Sequence, residues 1–248
     1  MNINALEARL LALEKKADEV EELKSKVKSL EKEVTTLRDI EEIKRLQKAY
    51  GYYVEHMMYQ EIVDCFADHQ DVRLNWLEGQ WLGKEGVKKY FRFMKSAPPE
   101  FQHQVMQLAG IVNVHENGMR ANGRWYAFGG IFIPMEEMIR RSFVSGIYEM
   151  GYIKEGGLWK ILSIKWVIPY AVRIPEGWAM PEDINKPYIE GNFRGPAPDL
   201  AINKNDLRYV TGYIFPFHYK HPVTGKETSE AEKNAQLRKI LAKRDSEG

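Results

Sequence analysis

Apolar residues recur along the first stretch of the chain at Ile3, Leu6, Leu10, Leu13, Ala17, Val20, Leu23, Val27, Leu30, Val34 and Leu37. The steps alternate between three and four residues, which is the seam of a coiled coil. The exception is Ala17–Val20–Leu23, where two threes in succession form a stammer that overwinds the supercoil locally. No glycine or proline interrupts residues 1–38, and the faces away from the seam are charged. So narrow a stripe leaves a solitary helix marginal in water, so it should pack against a second copy or its own domain. Beyond the stammer, Val27 and Val34 fall at a positions and Leu23, Leu30 and Leu37 at d, a choice that favours two parallel strands.

The pattern then changes. Asp39 fits a helix N-cap, with Glu41 and Glu42 in the first turn where carboxylates suit the helix dipole. Ile40, Ile43, Leu46, Tyr50, Tyr53, Val54 and Met57 give a helix to about Met58 one apolar face. A shorter helix is predicted over Gln60–Ala67, a strand over Val72–Trp76, and a turn at Leu82–Gly86 leading into a helix over Val87–Met94. Four long strands follow at Gln104–Val114, Met119–Pro134, Arg140–Ile153 and Trp159–Ile168. Their tight turns are at Glu116-Asn117-Gly118 and Glu155-Gly156-Gly157. Three helices followed by an antiparallel sheet make an α+β roll. From Pro169 onward Pro175, Pro181, Pro187, Pro196 and Pro198 punctuate an aromatic-rich stretch reaching Tyr213–Tyr219, too apolar for a free linker. It is expected to wrap the domain or a neighbouring subunit and could cap a pocket. Thr228–Lys243 reads as a short polar helix. The expected organisation is a coiled-coil helix (1–38), one α+β domain (39–172) and a wrapping tail (173–248).

Composition narrows the function. Lys and Arg total 36 against 35 Asp and Glu, so bulk charge makes no case for nucleic acid or an acidic membrane. The single Cys65 rules out an internal disulfide or a cysteine-rich metal site and fits a reducing compartment. Met1–Leu13 carries Glu7 and Arg9 inside its apolar pattern and does not read as a signal peptide. No apolar run reaches the roughly 18 residues of a membrane span. The expectation is a soluble cytoplasmic homo-oligomer with no nucleic-acid or membrane partner.

A pair of strand motifs points to a family. Ala121-Asn122-Gly123-Arg124-Trp125-Tyr126 is followed, about forty residues on, by Trp159-Lys160-Ile161. Ile168-Pro169-Tyr170 and Gly177-Trp178 come next. The pair follows the helix-then-loop segment Tyr50–Asp68. Together they resemble the SnoaL-like branch of the NTF2-like superfamily, whose curved sheet and few helices form a cone around one apolar pocket. The resemblance implies chemistry without metal or organic cofactor: dehydratases, dehydrochlorinases, isomerases, polyketide cyclases and formaldehyde-releasing lyases of lignin-derived aromatics. It also leaves dimer against trimer open, since lyases of this fold are often trimers.

The same resemblance suggests residues. Glu55 precedes Cys65-Phe66-Ala67-Asp68 at the spacing of the catalytic aspartate in scytalone dehydratase-like and dehydrochlorinase-like enzymes, with one extra methylene. A carboxylate in an apolar cavity has its pKa raised toward neutral acid–base work. The alternative is a solvated helix-end glutamate. His103 falls near the family's catalytic histidine, and Gln107 would fall there if the register slipped by four. Either dehydration or retro-aldol cleavage fits an imidazole–carboxyl pair. The second pocket histidine of the scytalone dehydratase pattern is absent.

On the strand Arg124–Phe132, Arg124, Tyr126 and Phe128 share one face and Trp125 and Ala127 the other. If the first face is interior, Arg124 and Tyr126 could hold an oxyanion. Otherwise they are surface residues. Trp76, Tyr53 and Tyr148 are candidates for stacking on a flat substrate, and Lys165 and Glu149 are further candidates for the interior. His56 is expected to point away from Glu55, about 100° round the helix. No His/Asp/Glu set has metal-ligand spacing and no phosphate-cradling glycine loop occurs.

The leading expectation is a cofactor-independent lyase acting on a hydrophobic, hydroxylated aromatic molecule. One alternative is an isomerase or polyketide-type cyclase using the same pocket. Another is a non-catalytic ligand-binding or coiled-coil assembly protein, which predicts a filled core and Glu55 salt-bridged at the surface.

Overall fold

A computed structural model describes residues 3–76, 79–98, 100–135, 139–173, 213–214 and 220–247. The prolines from Pro175 to Pro198, Gly177-Trp178 and the aromatic residues 215–219 lie outside the described residues, so the wrapping stretch is not described.

Helix α1 runs unbroken from Ile3 to Glu55, about 80 Å at 1.5 Å per residue. This corrects the expected start at Asp39. With no glycine or proline before Gly51, nothing breaks the helix there. Asp39 serves instead as a buried acceptor: Trp159 Nε1 donates to its Oδ1 at 2.9 Å, and the Lys154 ammonium pairs with the same oxygen. The large seam residues whose burial is described stay exposed along the isolated chain, from 45% at Val34 to 71% at Ile3. From Asp39 onward the predicted apolar face is buried at Ile43, Leu46, Tyr50, Tyr53, Val54 and Met57.

Helix α2 spans Tyr59–Asp64 and strand β1 Arg73–Trp76. Strand β2, Gly79–Leu82, was not anticipated; it is too short to show a period. Helix α3 covers Gly83–Phe91 and continues as a 3-10 turn, Arg92–Lys95. The long strands are β3 (Gln102–Val114), β4 (Arg120–Pro134), β5 (Ile139–Glu155) and β6 (Leu158–Arg173). Gly118 and Gly156 adopt positive φ in the two tight turns, as their sequence signals require. The strand order is β2-β1-β6-β5-β4-β3. The sheet is mixed rather than purely antiparallel, because β1 runs parallel to β6. Strand β6 passes through Pro169 because its register with β5 shifts between Ser145 and Ile147, and a bulge tolerates the missing N–H. A second irregularity, between Leu108 and Ile111, places Ala109 at φ 48°. Such a bulge bends the strand and curves the sheet over α1.

Helix α4 runs from Glu230 to Glu247. The segment before it is tied to α2: His221 Nε2 donates to the Glu61 carbonyl at 2.8 Å, while its Nδ1 accepts from the amides of Val223 and Thr224. Glu61 Oε1 in turn accepts from the Ser229 amide at 2.7 Å. No helix among the described residues is long and apolar enough to cross a membrane.

Candidate active site

Strand parity decides which side chains face the interior. On β4, Ala121, Gly123, Trp125 and Ala127 point inward, while Arg124, Tyr126 and Phe128 point out. Tyr126 is 61% exposed, and Arg124 pairs with Glu149 across the outer face. Lys165 stands opposite Glu149 on that same outer face and is exposed. The structure therefore removes Arg124, Tyr126 and Lys165 from the interior. For Lys165 the reason is local: Trp159 and Ile161 face inward, but the shift at Gly151/Tyr152 flips the parity, so that Ile164 and Trp166 are the interior pair. Tyr53 is fully buried yet stacks on His221, with ring centroids 5.2 Å apart, in the core between α1 and the C-terminal segment.

The interior wall is aromatic. Tyr148 stacks on Trp166 at 5.6 Å, and Trp166 meets Trp76 edge-on at 5.8 Å. Tyr90 of α3 packs on both Trp76 (5.3 Å) and Trp81 (4.8 Å). From Tyr90 the ring contacts continue through Phe93 to Phe101, beside the start of β3. Trp76 and Tyr148 were legible as stacking candidates. Trp166, Trp81 and Tyr90 were missed, although Trp166 shares strand parity with Ile164.

Against this wall stand polar atoms of two kinds. One set is internally satisfied: Trp125 Nε1 donates to Tyr152 Oη (3.1 Å), which donates to Gln47 Oε1 (2.6 Å), and Gln47 Nε2 donates to Gln107 Oε1 (2.6 Å). This chain fixes α1 to the sheet and assigns Gln107 a bracing role. The other set is not satisfied. His103 Nδ1, Trp76 Nε1 and Trp166 Nε1 are buried and have no hydrogen-bond partner among the described residues. An unmet buried donor or acceptor costs about 1–3 kcal/mol, and two of these three, the indole N–H groups of Trp76 and Trp166, belong to rings that meet edge-on in the aromatic wall. Burial pushes the His103 imidazole down to about 4, so it is neutral at pH 7.

Glu55 is the last residue of α1. It lines a pocket of about 110 Å³ with His56, Met57, Ala97, Pro98, Phe101, Ile214 and the α4 residues Lys233, Gln236, Leu237 and Ile240. Glu55 makes no hydrogen bond or ion pair among the described residues, and burial alone raises its carboxyl above the usual range. His56 lies in the same pocket, against expectation. The helix stops at Glu55 and Met57 takes φ 53°, so the 100° helical offset no longer applies. Burial and, secondarily, the Lys233 charge push the His56 imidazole down to about 4.

Residues 35–165 match the SnoaL-like domain family, and the chain belongs to that family. No curated protein matches it. Among solved structures it is similar to a candidate scytalone dehydratase from Novosphingobium aromaticivorans DSM 12444 (17% identity, TM-score 0.49, covering 59% of this chain and 98% of the other). It is also similar to a type-2 hexachlorocyclohexane dehydrochlorinase, LinA (16% identity, TM-score 0.47, 60% and 98%). The type-3 LinA of Novosphingobium barchaimii LL02 shows 15% identity, TM-score 0.47 and coverage of 60% and 99%.

Proposed function

We propose that the protein is a cofactor-independent lyase acting on a flat, hydroxylated aromatic molecule, with His103 and Glu55 as its acid–base pair. The observation that carries this reading is the His103 imidazole, whose buried Nδ1 has no hydrogen-bond partner among the described residues and which burial keeps neutral. In a dehydration the pair would take a proton from carbon, the C–O bond would break, and hydroxide would leave with a returned proton as water. In a retro-aldol cleavage it would take the hydroxymethyl proton. The C–C bond would then break, formaldehyde would depart, and the electron pair left on carbon would take back the proton. With Arg124, Tyr126 and Lys165 outside, the indole N–H groups of Trp76 and Trp166 are the donors proposed to receive developing negative charge. The stacked Tyr148–Trp166 pair would hold the ring.

The pH dependence tests the pair. If both groups must be in their basic forms, kcat/KM is level near neutrality and falls as pH drops through the raised pKa of Glu55, then through that of His103. Glu55→Gln is expected to lower kcat/KM by about 10² or more and to move the remaining acid limb down toward the His103 value of about 4. An acid limb unmoved by this substitution would remove Glu55 from the mechanism.

Self-association is proposed through the N-terminal seam, as a parallel dimer. Its exposed valines and leucines need a partner surface that the described residues of one chain do not provide. Leu23→Asp with Leu30→Asp is expected to convert a dimer into a monomer in sedimentation equilibrium. A monomeric wild-type chain would end this proposal.

A further inference from the structure

The pocket beside Glu55 has one wall that the family's domain does not supply. The SnoaL-like match ends at residue 165, whereas Lys233, Gln236, Leu237 and Ile240 come from α4. That helix is held by specific bonds to the domain through Glu61 and to the neighbouring C-terminal segment through Ile214. Glu61 accepts from the Ser229 amide just ahead of it, and Asn234 both accepts from the Ile214 amide (3.0 Å) and donates to the Ile214 carbonyl (2.8 Å). The pocket wall is thus a defined surface.

Lys233 is the only lysine or arginine among the described residues that line this pocket. It is partly buried and makes no ion pair among the described residues, although nearby acidic groups could have served. Glu55 shares the pocket without bonding to it, and Glu61 acts on it only through space while engaged with Ser229. The other polar residues lining the pocket, His56 and Gln236, carry no negative charge that could compensate it. Consistent with this setting, burial draws the Lys233 ammonium below its ordinary pKa. An ammonium partly stripped of water and held in no direct ion pair among the described residues favours an anion that enters with an apolar body. Here the apolar surroundings are Met57, Pro98, Phe101, Leu237 and Ile240. Phe101 begins the run of ring contacts that leads through Phe93 and Tyr90 to Trp76.

We propose that Lys233 is a specificity-determining residue that binds a carboxylate on the aromatic substrate, so that the protein takes aromatic acids in preference to neutral aromatics. The proposal rests on the functional reading above, since it places the substrate across Glu55. A lone ammonium without a backbone-amide cradle suits a singly charged carboxylate better than a phosphate.

The test is calorimetric binding to the full chain of 4-hydroxybenzoate, 4-hydroxyphenylacetate and 4-hydroxycinnamate, each against its methyl ester. At least one acid is expected to bind about tenfold or more tightly than its ester. Lys233→Met, which keeps the buried methylenes, should abolish that preference while leaving ester affinity unchanged, and Lys233→Arg should restore most of it. Thermal melting of each variant confirms that α4 remains docked. Equal binding of acids and esters, a preference that survives in Lys233→Met, or no detectable binding of any acid at millimolar concentration would overturn the proposal. Binding carries no requirement for turnover, so the two readings fail separately. Acids held through Lys233 without conversion would count against the lyase alone. Conversion of aromatic acids at an unchanged rate in Lys233→Met would count against the carboxylate site alone.

Discussion

His103→Ala is expected to reduce turnover of a converted substrate by about 10²–10⁴-fold, the usual contribution of a general acid–base group, without lowering the thermal midpoint. The two halves of this expectation come from the same atom. Nδ1 of His103 is buried with no partner among the described residues, so the folded state bears a desolvation cost there. Deleting the ring removes that cost, about 1–3 kcal/mol, against a modest packing loss, since the residue as a whole is only half-buried. A structural histidine behaves in the opposite way. His221 makes hydrogen bonds through both ring nitrogens and is buried, so His221→Ala should destabilise the protein. Kinetics and calorimetry on these two variants separate the roles. A large fall in midpoint for His103→Ala with full activity retained would make His103 a core residue.

Asp39→Ala is expected to destabilise the fold by about 3–5 kcal/mol, because it leaves the Lys154 ammonium enclosed without its counter-charge. The Lys154 side chain is only 19% exposed and that of Asp39 7%. Trp159 Nε1 would lose its acceptor as well. The site lies where α1 stops projecting and begins to pack on the sheet, so its loss should loosen the joint between the two. A matched pair, Asp39→Leu with Lys154→Met, removes both charges together and should recover much of the loss, as replaced buried ion pairs often do. Denaturant midpoints measure both. An Asp39→Ala loss below about 1 kcal/mol, the range of an exposed pair, would contradict the burial argument.

Much of the fold was legible because periodicity is a property of packing. The apolar face from Ile43 to Met57 and the four long strands appear close to their predicted bounds, since each buries one continuous side. What escaped was set by single residues acting against the pattern. The cap expected at Asp39 gave way to helix continuity, and the residue's acidity was used across 120 positions of sequence on Trp159 instead. Site residues were harder, because inward and outward faces exchange at a bulge. Lys165 was misplaced by the register shift at Gly151/Tyr152, and the same shift hid Trp166. Arg124 and Tyr126 share strand β4 with Trp125, and only burial shows that the tryptophan side faces in. Glu55 and His103 stand on different elements, and the pocket at Glu55 is completed by α4, which no local pattern could connect to it.

The most direct test of the central claim is a mass-spectrometric comparison of purified wild type and His103→Ala on hydroxylated aromatic compounds with nothing else added. The wild type is expected to form a product lighter by water or by formaldehyde, and His103→Ala to form it at a rate lower by orders of magnitude. Conversion that is mass-neutral, equally fast in His103→Ala, or absent across the panel would contradict a lyase built on this histidine.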